Sequence, residues 1–174
     1  CNVLEGEYVD NKKQGIWREY FADGKKRSEG AYDHDLLTGE HLRWDDKGQL
    51  LAVNHYRAGL TDGVQTTFLP NGQKQSEATF ALGKQVGLTR EWYADGTRKS
   101  ECRYEADELH GPCTKWYANG KIALTGEYER GQRNGKWTVW HDNGQVQSVG
   151  SYEHGLPVGP WSEFHANGMR SSQG

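Results

Sequence analysis

The chain has 174 residues, a formal net charge of -3 from 21 basic and 24 acidic side chains, and a mean hydropathy of -0.96. Hydrophobic residues make up 34%, too few for an ordinary two-layer core, whereas 11% aromatics and 23 glycines are too many for a disordered chain. No basic field suits a nucleic-acid backbone, no apolar run reaches the length of a membrane span, and recurrent glycine works against any persistent amphipathic helix.

Glycine sets a period instead. Gly15, Gly39, Gly63, Gly87, Gly111, Gly135 and Gly159 recur every 24 residues without an insertion, and Gly24, Gly48, Gly72, Gly96, Gly120, Gly144 and Gly168 keep the same interval. Taken in chain order, a half repeat covers residues 1–14 and contributes Tyr8. Repeats then start at Gly15, Gly39, Gly63, Gly87, Gly111 and Gly135, and a partial repeat covers 159–174. Residues 1–174 thus read as a single repeat domain.

Each repeat opens with a strand that carries an aromatic at its end: Tyr20, Trp44, Phe68, Trp92, Trp116, Trp140 and Phe164. Asx-Gly follows at Asp23-Gly24, Asn71-Gly72, Asp95-Gly96, Asn119-Gly120, Asn143-Gly144 and Asn167-Gly168, with Lys47-Gly48 as the departure. This dipeptide predicts a two-residue type I′ turn with positive φ at both positions. A second strand ends at Tyr32, Tyr56, Phe80, Tyr104, Tyr128 or Tyr152, and a second turn carries Gly59, Gly83, Gly131 and Gly155, or Asp35 and Asp107 in their place. Trp17, Trp137 and Trp161 share a third aromatic slot, and Phe21, Tyr93 and Tyr117 a fourth; every ring of the chain falls in one of these four.

The fold class that follows is all-β: an elongated single-layer antiparallel sheet of about seven tandem 24-residue hairpins. Strands ~4.8 Å apart would advance ~10 Å per repeat and about 65–70 Å in all. Adjacent hairpins can bury rings against one another. The expected structural core is therefore the first two slots: Tyr20, Tyr32, Trp44, Tyr56, Phe68, Phe80, Trp92, Tyr104, Trp116, Tyr128, Trp140 and Tyr152.

The pattern resembles the MORN repeat. It stands as Gly15-Ile16-Trp17-Arg18-Glu19-Tyr20 through Asp23-Gly24 to Tyr32, and again as Gly135-Lys136-Trp137-Thr138-Val139-Trp140 through Asn143-Gly144 to Tyr152. Repeats two to five carry His41, Gln65, Thr89 and Cys113 at the Trp slot. The mid-repeat Asx-Gly and the 24-residue period are most similar to the bacterial variant found in YwqK-family antitoxins. The resemblance implies interaction rather than catalysis: neutralisation of a toxic effector enzyme in bacterial members, and scaffold or membrane-lipid-binding roles in others.

Chemistry-bearing patterns are scarce. A hydrolase elbow, a phosphate loop and a dinucleotide fingerprint are all missing from the sequence. His141 and His165 occupy equivalent slots one repeat apart, too distant to share one zinc. Neither an enzyme nor a cofactor nor a metal is expected. Cys102 and Cys113 lie on strands predicted to be neighbours, so they read either as a disulfide or as two reduced core thiols. Cys1 is the lipidation candidate, since a mature bacterial lipoprotein begins at such a cysteine, which would place the protein in the periplasm. An arbitrary boundary is the alternative, and with it a cytoplasmic location.

One position beyond the first aromatic slot lie Phe21, Leu69, Tyr93, Tyr117, His141 and His165, and two before that lie Arg43, Glu91 and Lys115. Strand alternation puts these on the side opposite the first-slot rings. Large rings left exposed there suggest a docking strip for a protein partner. The expected function is non-catalytic: an immunity protein that occludes the active site of a toxic effector enzyme. The alternative is a scaffold or lipid-surface protein that pairs with itself. Nucleic acid is not an expected partner, and a membrane is one only through an anchor at Cys1.

Overall fold

The computed structural model describes residues 3–173, so the lipidation candidate Cys1 lies outside the described residues. The all-β expectation is met, and no helix occurs among the described residues. Contacts divide the chain into two compact units, Cys1–Lys84 and Gln85–Gly174. The first holds β1 (Val3–Val9), β2 (Lys12–Tyr20), β3 (Lys26–Asp33), β4 (Leu36–Trp44), β5 (Leu50–Arg57), β6 (Leu60–Thr61), β7 (Gly63–Phe68) and β8 (Lys74–Ala81). The second holds β9 (Lys84–Trp92), β10 (Arg98–Glu105), β11 (Glu108–Trp116), β12 (Ile122–Glu129), β13 (Gln132–Trp140), β14 (Val146–Glu153), β15 (Leu156–Phe164) and β16 (Arg170–Gln173). In each unit, strands adjacent in sequence pair antiparallel in a single layer, and β6 is a short piece pairing with β5 ahead of β7.

The Asx-Gly turn differs from the type I′ expected of it. The Asx-Gly loop is a four-residue turn: Gly24 N–H donates to the Phe21 carbonyl (2.9 Å), and only Gly24 has positive φ (+85°). That is a type I turn closed by a left-handed glycine. The Asx residue serves through its side chain, Asp23 Oδ1 accepting the Lys25 N–H at 3.1 Å. Where Lys47 replaces it, Asp45 takes over and accepts the N–H groups of Lys47 and Gln49. The type I′ turns are the second ones. His34 and Asp35 (φ 49° and 71°), Ala58 and Gly59 (47° and 82°) and Arg130 and Gly131 (49° and 76°) are positive at both central residues. Successive second turns also bond to one another, as in Gly59 N–H to the Leu37 carbonyl (2.8 Å) and Gly131 N–H to the Leu109 carbonyl (2.8 Å).

The opening glycine makes a wide bulge. Thr125 pairs with Thr138 and Glu127 with Asn134, so Gly126 alone faces Gly135, Lys136 and Trp137. Gly135 takes φ +68°, which a side-chain-bearing residue adopts only at a cost. The bulge swings Trp137 across the preceding strand, and the indole lies directly on Gly126, where even a Cβ would collide with its ring carbons. Trp17 lies on Gly6, His41 on Gly30 and Trp161 on Gly150 in the same way.

This third slot holds the burial. Trp137 is 2% exposed and Trp17 6%, whereas every first- and second-slot residue expected to form the core is half-buried. The expected ladder forms with a different partner. Second-slot tyrosines stand edge-on to third-slot tryptophans: Tyr8 to Trp17 (4.8 Å between centroids), Trp17 to Tyr32 (6.4 Å), Tyr128 to Trp137 (5.0 Å) and Tyr152 to Trp161 (5.3 Å). First-slot rings stand on the opposite face, because Trp17 and Tyr20 differ in parity along β2. In the fifth repeat the slot is filled otherwise, by a disulfide between Cys102 and Cys113, directly opposed across β10 and β11. In the third repeat Gln65 reaches back to β5, donating to the His55 carbonyl (2.8 Å) and accepting the His55 N–H (3.3 Å).

Two outcomes follow. Gly126→Ala is expected to cost about 1–3 kcal/mol in urea unfolding by forcing the indole off its seat. In a Trp137→Thr background the same change should cost markedly less, a non-additivity that an unrelated glycine would not show. His41 is held below the ordinary imidazole range by burial and then by the charge of Arg43, and its Nδ1 is buried without a partner. Its folded pKa lies below its unfolded value of ~6.5, so the unfolded chain takes up the proton first. Stability should therefore fall as pH drops from that value through the folded pKa. His41→Trp should remove that part of the loss when unfolding is compared at neutral and mildly acidic pH.

Candidate functional site

In each unit the two faces of the sheet carry different chemistry. One is sealed by its own side chains. The ammonium of Lys13 sits 4.7 Å from the Trp17 ring centroid and 4.9 Å from that of Tyr32, and the Arg133 guanidinium caps Trp137 (4.6 Å) and Tyr152 (5.2 Å). Such capping satisfies the π-faces and leaves little bare ring.

The opposite face bears the first-slot rings and a charged cover that changes along the chain. Arg18 bonds Glu29 at 2.7 Å, Lys26 bonds Glu29 at 2.8 Å and lies 5.3 Å from the Trp44 ring centroid. Lys26 first, and then Arg18, hold Glu29 below the usual carboxylate range. Arg90 and Glu101 repeat the pair at 2.7 Å, with Arg98 6.0 Å from Trp116. In the next two repeats the Arg and Glu positions become Thr114 and Thr125, then Thr138 and Val149, paired across their strands. The covering cation becomes Ile122 and then Val146. Trp140 and Phe164 consequently lose the long side chain that shields Trp44 and Trp116.

What opens there is a groove of about 500 Å³ in the second unit, lined by Trp140, Phe164, Val146, Val149, Thr138 and Lys136 among others. A neighbouring groove of about 450 Å³ shares Lys136, Thr138 and Trp140 and extends to Thr114 and Thr125. Lys136 is the only charged residue lining the first groove and makes no salt bridge among the described residues. Together the two grooves present rings, aliphatics and hydroxyls with one cation, Lys136, and one carboxylate, Glu127, a mixed lining suited to holding a partner.

The residues singled out in sequence are distributed differently. Arg43, Glu91 and Lys115 lie on the sealed face. Glu91 accepts a hydrogen bond from Ser100 Oγ (2.8 Å), while Arg43 and Lys115 are exposed. Phe21, Leu69, Tyr93, Tyr117, His141 and His165 do not stand on a strand face at all; each opens an Asx-Gly turn, its carbonyl accepting from the glycine three residues on. The idea that Tyr93 and Tyr117 are bare rings is corrected: both are half-buried and latched to the next repeat. Tyr93 Oη donates to the Trp116 carbonyl (2.8 Å), Tyr117 Oη to the Trp140 carbonyl (2.7 Å), and His141 Nε2–H to the Phe164 carbonyl (2.9 Å). Those carbonyls lie past the last pairing with the preceding strand, so the latch supplies the missing donor. Sequence reasoning missed Ile122, Val146, Thr138 and Val149; the signal was the loss of Lys/Arg and Glu at fixed positions of the repeat.

The repeat unit itself matches a known family. The model of the MORN repeat variant matches residues 13–34, 61–81, 109–130 and 133–154, half of the chain, and each match spans one hairpin with its Asx-Gly turn. The chain belongs to the MORN repeat variant family. No curated protein matches it. MORN repeats mark the chain as a repeat-based binding or scaffold protein.

Tyr117→Phe is expected to cost about 1 kcal/mol of unfolding free energy through the lost latch. It should leave partner affinity unchanged. A loss of affinity without a loss of stability would return this residue to the binding surface.

Proposed function

We propose that this MORN array is an immunity or antitoxin protein, which binds a toxic bacterial effector enzyme and occludes its active site without catalysing a reaction. The observation that carries the reading is the uncovered ring strip of the second unit. Trp140 and Phe164, half-buried, border this groove beside hydroxyls and the cation of Lys136, with Ile122 and Val146 at the positions from which Lys26 and Arg98 cover Trp44 and Trp116. Tryptophan is among the residues from which protein interfaces draw most of their affinity. The Cys102–Cys113 disulfide supports an oxidising compartment, here the bacterial periplasm.

The test is co-purification with the product of the neighbouring gene, together with an assay of that product's toxicity. The wild-type chain should capture and inhibit it, and Trp140→Ala and Phe164→Ala should each weaken capture about 30-fold. Cys102 and Cys113 should resist thiol reagents in protein purified from the cell without reductant. Full inhibition by both variants, or self-association and liposome pelleting in place of capture, would transfer the role to the scaffold or lipid-surface reading.

A further inference from the structure

We infer that the open strip of the second unit, when no other protein occupies it, is covered by the same strip of a second copy of this chain, the two sheets stacked face to face about a two-fold axis. The pairing rests on the reading of this face as a protein-binding surface and names a partner that the face itself specifies.

Two leftover charges select that partner. Lys136 and Glu127 both line the groove of about 450 Å³, both are exposed, and neither forms an ion pair among the described residues. They stand on neighbouring strands, since Glu127 pairs with Asn134 of β13 and Lys136 follows two residues later. A partner surface of one sign satisfies one of them and sets a like charge against the other. A surface that bears one of each at the same separation satisfies both, and this chain carries such a surface. A two-fold axis lying between the stacked sheets, midway between the two residues, sets Lys136 of each copy against Glu127 of the other, so one contact is made twice.

The apolar positions agree with that axis. It runs close to the strand direction between β12 and β13, and so opposes β12 to β13, β11 to β14 and β10 to β15. Ile122 begins β12 and Trp140 ends β13 at the same end of the sheet, so each meets the other across the axis. Ile122 is 40% exposed in the single chain and gains a ring to lie on. Arg98 and the Arg90–Glu101 pair fall at the margin, where interfaces keep their charge. Stacking at ~10 Å supplies the second layer against which a sheet ordinarily buries a face. Six strands, β10 to β15, each of eight or nine residues, cover a face of roughly 750 Å² per copy, the size of a specific interface. The first unit has no equivalent, because Arg18, Lys26 and Glu29 have already spent their charges on one another.

The experiment is analytical ultracentrifugation of the full chain over a concentration series, at low and high salt. The wild-type chain should pass from monomer to dimer as concentration rises and dissociate more readily in high salt. Lys136→Glu and Glu127→Lys should each weaken the dimer about 30-fold, because either change brings like charges together at both contacts. An equimolar mixture of the two variants should regain wild-type association, since opposite charges then meet at both contacts, and the chain carrying both changes should do the same. Trp140→Ala should also weaken the dimer about 30-fold. A monomer at every concentration, a dimer indifferent to the single reversals, or a mixture no tighter than its components would each overturn the inference. If the chain stays monomeric and still captures the effector in a Trp140-dependent manner, the dimer falls and the docking surface stands. If the dimer forms as described and no effector is captured, the dimer stands and the immunity reading falls.

Discussion

A sheet of one layer has no second layer to bury its side chains against, so burial here has to come from the neighbouring strand. The structure meets that constraint by laying a side chain of each first strand across the backbone of the strand before it. The left-handed glycine at the head of the repeat sets two extra residues against one, and the ring thrown across by that bulge needs a residue without a side chain beneath it. Trp137 on Gly126 and Trp17 on Gly6 are the fullest form of this contact, and they supply the most buried rings of the two units. The edge-on tyrosines and capping cations then build outward from each seated ring.

Because the slot is a geometric requirement rather than a chemical one, it accepts different fillings. His41 fits over Gly30 at the expense of a buried nitrogen without a partner. Gln65 replaces ring contact with two hydrogen bonds to the backbone at His55. Cys113 replaces contact by a covalent bond to the residue it faces. The central repeats therefore keep the strand order of the terminal ones while exchanging dispersion for polar or covalent attachment. Three of the four departures from the Trp pattern, His41, Gln65 and Cys113, follow from that exchange.

Period, strand content and pairing order were legible in the sequence because they rest on glycine spacing and ring spacing, which are local. The turns were not, and the reason is specific. Asx-Gly satisfies a type I′ turn and equally a type I turn closed by a left-handed glycine, and only the number of residues between paired strands separates them. Pairs such as Ala58-Gly59 and Arg130-Gly131 adopt positive φ because stacked second turns bond one another, a tertiary cause that no propensity contains. The core was misjudged by counting. The third slot holds three rings against seven in the first, yet Gly6, Gly126 and Gly150, each eleven residues before one of those rings, were the visible partner signal. Tyr93 and Tyr117 were misread because strand alternation was carried one residue past the end of the strand.

The location of binding follows from which face has already spent its polar complement on itself. On the ladder face, cations contributed by the chain occupy the ring surfaces at Trp17, Tyr32, Trp137 and Tyr152, so an incoming group would have to displace a bonded neighbour. On the other face, the charges that cover the rings belong to substitutable positions of the repeat. They can be lost without touching the bulge, the seated ring or the turn latches. Replacing Arg, Glu and Lys by Thr and Val in the last repeats removes surface ion pairs worth at most about 1 kcal/mol each and uncovers two aromatic rings. Fold and recognition are thus assigned to opposite sides of one layer, which allows the array to alter what it binds while every contact that holds it together stays in place.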